Sequence, residues 1–137
     1  MALLNLEIVT PEKRAYSGSA RMVVVPGAEG ELGILPDHMP LMTQILPGEV
    51  QVTTESGEEL FLAVGEGFVE VCPDRVSVLT DMAIEEVEID EKAAEEAVAR
   101  AERELRDQAL GGEELATVQA SLLKSLAQLK VKRRSRH

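Results

Sequence analysis

Apolar and polar residues alternate with a period of two along the first 87 positions of the chain. Near the start, Leu4, Leu6 and Ile8 alternate with Asn5 and Glu7, which is typical of a strand with one buried face. Similar short runs follow, with turn residues between them, at positions 21–25, 41–46, 50–54, 60–64, 68–71 and 76–79. No helix-length segment interrupts these runs, so the pattern predicts a β-sandwich or a β-barrel.

The period changes to that of a helix at residues 88–90. Asp90 is a residue type that favours a helix N-terminus, and apolar residues then recur at helical spacing up to Leu105. Gly111 and Gly112 predict the end of this helix. A second amphipathic helix follows, and its expected buried face consists of Leu115, Val118, Leu122, Leu126 and Leu129.

Two helices joined by a short glycine-containing turn form an antiparallel hairpin. The sequence therefore predicts an α+β chain in two parts. Residues 1–87 form an antiparallel β body, and residues 88–137 form the helical hairpin.

The two parts differ in the distribution of charge. Residues 1–87 carry 4 Lys or Arg and 15 Asp or Glu, a net charge of −11. Residues 88–137 carry 10 of each, but the last fourteen residues hold six cations and no acid. These six cations, here called the basic tail, are Lys124, Lys130, Lys132, Arg133, Arg134 and Arg136. An acidic body with a basic tail predicts a charge-guided interaction at that end.

The chain offers little material for an active site. It has one cysteine, Cys72, which excludes an internal disulfide and a multi-cysteine metal site, and two histidines, His38 and His137. The glycines near residue 30 lack the Lys-Ser/Thr of a phosphate-binding loop and the spacing of a dinucleotide fingerprint. We therefore expect no catalytic activity, no cofactor and no metal site in the isolated chain.

The N-terminus lacks the basic region of a signal peptide, and no apolar run approaches the ~20 residues that span a bilayer. These features predict a cytoplasmic chain that reaches a membrane only through a partner.

Residues 27–41 are the most distinctive stretch. Glycines at positions 27, 30 and 33 precede prolines at positions 36 and 40, with His38 between the prolines. Glycine permits backbone conformations that other residues avoid, whereas proline removes donors and excludes a helix or a central strand. The pattern predicts a rigid, ordered loop on a β scaffold. From the residues alone, we expect the His38 ring to pack or hydrogen-bond within this loop.

This stretch, Gly-Ala-Glu-Gly-Glu-Leu-Gly-Ile-Leu-Pro-Asp-His-Met-Pro-Leu, resembles the signature loop of the epsilon subunit of bacterial F-type ATP synthases. The likeness extends through residues 6–11, 65–71 and 120–131. It implies a flattened sandwich of two sheets in a non-catalytic central-stalk subunit, which couples rotation of the c-subunit ring to the catalytic head. It also implies that the sandwich binds γ and the c ring, and that the helices regulate by inhibiting ATP hydrolysis when extended.

The resemblance also implies contact residues in the signature loop. Glu29, Glu31, His38 and Pro40 would face the c ring or the γ subunit. An acidic loop that meets polar loops of a ring makes a polar, charge-guided contact.

The basic tail has three interpretations. The first is a solvated helix end, which the helix dipole favours. The second is a nucleic-acid-binding segment, which the acidic body and the lack of aromatic residues after Phe68 disfavour. The third follows from the resemblance, which implies that these cations contact acidic segments of the β subunits in the α/β catalytic head.

Some members of this family bind ATP in the hairpin through the pattern Ile/Leu-Asp-x-x-Arg/Lys-Ala. Here Ile89 and Asp90 match, but Ala93 replaces the basic residue, and Lys92 lies one position early, about 100° around a helix. The pattern is a remnant, so we expect no tight ATP binding and at most a weak regulatory effect of ATP.

The resemblance thus implies a non-catalytic rotor subunit of a proton-translocating ATP synthase. The complex would hold it at the cytoplasmic face of the cell inner membrane as a peripheral subunit. The alternative is a free-standing nucleotide- or nucleic-acid-binding module with a β body and a basic helical tail.

Overall fold

The computed structural model describes residues 2–107 and 109–134. The β body contains β1 (Leu4–Val9), β2 (Arg14–Gly27), β3 (Gly30–Ile34), β4 (Leu41–Ile45), β5 (Gly48–Thr54), β6 (Glu59–Val64), β7 (Gly67–Val71), β8 (Arg75–Thr80) and β9 (Ala83–Glu85). A 3₁₀ turn, Glu86–Glu88, leads into α1 (Glu91–Asp107) and α2 (Gly112–Arg134). The predicted α+β order, a β-sandwich followed by a helical hairpin, is confirmed.

The long strand β2 connects the two sheets of the sandwich. Its first half pairs with β1, and the first sheet continues through β8 and β7 to β4. Its second half lies between β3 and β5, and the second sheet continues through β6 to β9. These pairs are antiparallel except β1 with β8, which is parallel.

Aliphatic side chains fill the space between the sheets. Leu4, Leu6 and Ile8 of β1 are buried at alternate positions, as the period of two predicts. They belong to one core cluster with Val23 and Val25 of β2 and with buried residues of β3 to β9. The sandwich therefore has a core of its own, built within residues 4–83.

Two strands differ from the prediction: β2 is longer than expected, and β3 lies where a loop was expected. β2 begins at Arg14, seven residues before the predicted run at 21–25, and its extra residues are mostly small and polar. Their alternation is weak because pairing with β1 rather than burial holds them in the sheet. β3 lies inside the predicted loop 27–41, so the first half of that stretch is a β-hairpin with β2.

Helix α2 contacts α1 and also lies against β5 and β6 of the sandwich. Its buried residues are Ser125, Ala127, Leu129 and Val131. Leu126, expected on the buried face, is 43% exposed, so that prediction was wrong. Because α2 packs on two neighbours, two of its sides are buried: Leu129 lies on the predicted face, and Ala127 and Val131 lie on the opposite side of the helix. Neither helix of the described ranges is long and apolar enough to cross a bilayer.

Candidate functional site

Glu29 and Glu31 lie at the tip of the β2–β3 hairpin. Gly27 and Gly30 are paired across it, which leaves Ala28 and Glu29 as the turn, and Glu31 is the second residue of the return strand β3. Gly30 has φ +124°, a conformation that glycine adopts at little cost. Both carboxylates are exposed. The hairpin thus places two negative charges at one end of the sandwich.

Residues 35–40 form an ordered loop between β3 and β4. The backbone N–H of Asp37 donates to the Pro73 carbonyl at 2.7 Å, which attaches the loop to the β7–β8 turn. His38 is half-buried, and its Nδ1 donates to the Met39 carbonyl at 2.8 Å. This is the local hydrogen bond expected from the residues alone. Pro40 is exposed, and its neighbour Met39 is 79% exposed.

The sequence-based reasoning missed an apolar patch on the outer face of the first sheet, here called the outer patch. It consists of Met42, Phe68 and Leu79, which are 64%, 55% and 54% exposed. Phe68 is directly opposite Leu79 in the β7–β8 register, and Met42 is on the neighbouring strand opposite Glu70. The sequence feature that could have revealed the patch is the presence of apolar residues at strand positions that alternate with the buried ones and therefore face outward. Exposed apolar patches mark interaction sites.

Four cations of the basic tail are ion-paired within the chain. Lys124 Nζ lies 2.9 Å from Asp81 Oδ2, and Arg134 Nε lies 2.6 Å from Glu49 Oε2. Both acids belong to the sandwich. The solvated-end interpretation did not anticipate this pairing, because the partners are distant in sequence.

The other two cations, Lys132 and Arg133, connect α2 with the start of the hairpin through three ion pairs. Lys132 Nζ donates to the Glu86 backbone carbonyl at 3.2 Å and lies 3.8 Å from its carboxylate. Arg133 donates to Glu91 at 3.2 Å and to Glu95 at 3.1 Å. These hydrogen bonds, first to Glu91 and then to Glu95, raise the pKa of the Arg133 guanidinium. Of the remaining tail cations, Lys130 is exposed and Arg136 lies outside the described residues.

Two residues of the ATP-motif remnant, Ile89 and Asp90, contribute to packing and to helix capping. Ile89 is 5% exposed and packs in an apolar cluster with Ala63 and Val131. The Asp90 side chain accepts a hydrogen bond from the Ala93 N–H at 3.1 Å, as the N-cap of α1. Lys92 is exposed on the first turn.

A cavity of about 390 Å³ lies between α1 and α2, away from that remnant. Arg100, Lys124 and Glu104 contribute its charged groups, and Ser121 and Gln128 are among its polar groups. Over the described ranges, no three His, Cys, Asp or Glu side chains are grouped in a way that would hold a metal ion.

Two family models match this chain. Residues 3–86 match the model described as "ATP synthase, Delta/Epsilon chain, beta-sandwich domain". Residues 88–133 match "ATP synthase, Delta/Epsilon chain, long alpha-helix domain".

Curated relatives have corresponding names. The ATP synthase epsilon chain of Alkalilimnicola ehrlichii is 45% identical over 136 residues, which cover 99% of this chain and 96% of the relative. ATP synthase epsilon chain 2 of Ralstonia nicotianae is 56% identical over 64 residues, and this match spans 47% of this chain and 46% of that relative.

A similar fold occurs in a cryo-EM structure of the Euglena gracilis mitochondrial ATP synthase that contains OSCP, F1 and the c ring. The TM-score is 0.78 at 20% sequence identity, with 100% of this chain and 83% of that chain covered. At that identity the likeness establishes the fold. The two family models together with the full-length relative establish more: this chain belongs to the ATP synthase delta/epsilon family, as an epsilon chain of the F-type enzyme.

Proposed function

We propose that this chain couples rotation of the c ring to the catalytic head and slows ATP hydrolysis through its hairpin. As an epsilon chain, it is a non-catalytic subunit of an F-type ATP synthase. The match to the epsilon-chain family over the whole sequence is the observation that carries the proposal. Residues 1–87 would form the part that binds γ and the c ring, and residues 88–137 the regulatory part.

The acidic tip of the β2–β3 hairpin is the candidate contact with the c ring. Glu29 and Glu31 are exposed there, and the ordered loop with His38 and Pro40 follows in the chain. The Euglena structure with a similar fold contains F1 and a c ring, which supports an equivalent placement. Exposed carboxylates favour a polar contact that guides association more than it adds affinity.

The outer patch is the candidate contact with γ. Phe68, Leu79 and Met42 are exposed on one face, and aromatic residues at an interface centre commonly dominate its affinity. The loop of residues 35–40 leads directly into β4, which carries Met42, so the two surfaces are continuous along the chain.

The hairpin is the candidate brake on ATP hydrolysis. In the described conformation it lies folded on the sandwich, and its tail cations pair with acids of the same chain. In the extended state the same cations would face acidic segments of the β subunits. The hairpin would therefore be a two-state element whose equilibrium is shifted by whichever surface binds it better.

The chain would reach the membrane through the complex, as a peripheral subunit at the cytoplasmic face of the inner membrane. Family membership favours this assignment over a free-standing nucleic-acid-binding module. Co-purification distinguishes the two, because a rotor subunit comes down with γ and the catalytic subunits, whereas the module comes down with nucleic acid and releases it at high salt.

ATP hydrolysis by the cognate catalytic head with γ tests the brake. We expect the full chain to inhibit, and a version that ends after Glu88 to bind without inhibiting. The shortened chain retains the whole sandwich core, which lies within residues 4–83. Its melting curve and its binding to γ control for loss of fold. If both chains inhibit ATP hydrolysis equally, the hairpin is not the brake. If the full chain does not bind γ, the proposed coupling role is wrong.

A further inference from the structure

The fully buried apolar contact between the hairpin and the sandwich is small. Its buried residues are Ala63 and Ile89 with Ala127 and Val131 of α2, and three larger side chains that pack against them, Phe61, Met82 and Ile84, are only partly buried. Two of the four buried residues are alanines, and a buried alanine contributes far less transfer free energy than leucine or phenylalanine. Apolar packing therefore supplies only part of the docking free energy, and the ion pairs at the end of α2 add to it.

The last turn of α2 carries three successive cations, and each pairs with a different element. Lys132 contacts Glu86 in the 3₁₀ turn, and Arg133 contacts Glu91 and Glu95 on α1. Arg134 contacts Glu49 on β5. One turn of helix thus joins the sandwich, the connecting turn and the other helix of the hairpin.

Glu49 is the most deeply buried acid in these pairs. Its side chain is 6% exposed, and its carboxylate lies 2.6 Å from the Arg134 guanidinium. Glu49 is directly opposite Ala63 in the β5–β6 register, so it lies on the same sheet face, which α2 covers. The guanidinium also stacks 5.3 Å from the centre of the Phe61 ring.

A buried carboxylate without a partner is strongly unfavourable. In the docked state Arg134 is that partner. In the undocked state α2 no longer covers the sheet face, and water solvates Glu49 instead. Loss of Arg134 therefore destabilises the docked state selectively and leaves the sandwich core, on the opposite face, untouched.

We propose that Arg134 and Lys132, with Glu49 and Glu86, form a charge latch that holds the hairpin on the sandwich. The latched cations are occupied, so they cannot contact an acidic surface of another subunit until the latch opens. The latch is a property of the isolated chain, and only its consequence for ATP hydrolysis rests on the proposed function.

The test measures a distance in the isolated full chain by pulsed electron paramagnetic resonance. Spin labels are placed at Ser56→Cys on the sandwich and Gln119→Cys on α2, in a Cys72→Ser background; both labelled positions are exposed. The readout is the fraction of molecules with the hairpin away from the sandwich. The latch variants are Arg134→Gln and Glu49→Gln. Their matched controls are Arg106→Gln and Glu70→Gln, which break exposed surface pairs with the same change in charge.

We expect Arg134→Gln to increase the undocked fraction at least about tenfold, since it leaves a buried carboxylate unpaired. Glu49→Gln should increase it less, because the cation left behind is 46% exposed. The double variant should be less undocked than Arg134→Gln alone, and both controls should match the parent. The latch would be overturned if Arg134→Gln and Arg106→Gln gave the same undocked fraction, or if the effects of Arg134→Gln and Glu49→Gln were additive in the double variant. Neither outcome would bear on inhibition by the hairpin.

Discussion

Gly67 lies against the backbone carbonyl of Leu79, and a β-carbon at position 67 would overlap that oxygen atom. The two residues belong to neighbouring strands, where Gly67 is opposite Thr80 in the β7–β8 register. The obstacle is main chain rather than the flexible end of a side chain. This close approach keeps β7 and β8 together at the strand ends that carry Phe68 and Leu79 of the outer patch.

Gly67→Ala should therefore lower the free energy of unfolding by about 1–3 kcal/mol, as overpacking of an ordered site does. Urea denaturation measures the change. Gly33→Ala is the matched control, since Gly33 also lies in a strand but a β-carbon there meets no atom within 4 Å. The control should stay within about 0.5 kcal/mol of the parent. A loss at position 67 no larger than that at position 33 would contradict the steric argument.

Phe68→Ser should weaken binding to γ with little effect on the fold. Phe68 is 55% exposed and lies outside the sandwich core, so removal of its ring leaves that core intact. If the outer patch is the centre of the γ interface, the dissociation constant should rise at least about tenfold, as expected for an aromatic anchor. Isothermal titration with purified γ measures it.

Val87→Ser is the control for the outer patch. Val87 is 77% exposed and lies in the 3₁₀ turn next to the hairpin, outside the outer patch. Its substitution removes exposed apolar area without touching β7 or β8. Equal affinities of the two variants for γ would place the interface elsewhere on the chain.

Tyr16 should make the fold sensitive to alkaline pH. Burial, and then the negative charge of Glu85, raise the pKa of Tyr16 above its ordinary value of 10.0. The folded chain therefore keeps the phenol proton at a pH where the unfolded chain loses it, so this contribution to stability is complete below pH 10.0 and is lost as pH rises through the raised pKa.

Tyr16→Phe should remove this alkaline loss, so that its melting temperature falls less steeply above pH 10.0 than that of the parent. Because the chain has one tyrosine, absorbance titration reports its ionisation directly. Parallel slopes for parent and variant, or titration of Tyr16 at its ordinary pKa, would show that the phenol does not contribute.

Local periodicity predicted the elements whose burial follows their own sequence. Leu4, Leu6 and Ile8 alternate and are buried, and α1 begins after Asp90 as expected. The first half of β2 was not predicted, because pairing with β1 rather than burial holds its residues in the sheet. The alternation of apolar and polar residues within a strand does not show which strand it pairs with. The same applies to β3, whose two glycines resemble a loop until β2 lies beside it.

The charge latch shows a second limit. The sequence displays the basic tail, and it displays an acidic body, but Arg134 and Glu49 are separated by 85 positions. Only the path of α2 across β5 and β6 brings them together. The pattern of charges therefore predicted that the basic tail makes charged contacts. It did not indicate that acids of the same chain make them in this conformation.

Asp90 provides a test that separates helix stability from nucleotide binding. Its carboxylate accepts the Ala93 N–H at the start of α1, so Asp90→Ala should cost about 1 kcal/mol of stability through loss of the N-cap. Thermal melting of the full chain measures this cost. Lys92→Ala is the control, because Lys92 is exposed in the first turn of the same helix. If Asp90 serves only as a cap, its loss lowers the melting temperature by the same amount with and without ATP.

ATP itself should leave the melting temperature of the parent chain unchanged. The remnant residues Ile89 and Asp90 already pack in the apolar cluster and cap the helix, and neither of them lines the cavity between the helices. A ligand at 100 times its dissociation constant would stabilise the chain by about 2.7 kcal/mol. The titration uses ATP without magnesium, with inorganic triphosphate at equal ionic strength as the control. Stabilisation of that size by ATP and not by triphosphate would contradict the prediction, and substitution of Arg100 and Lys124 would then test the cavity between the helices as the binding site.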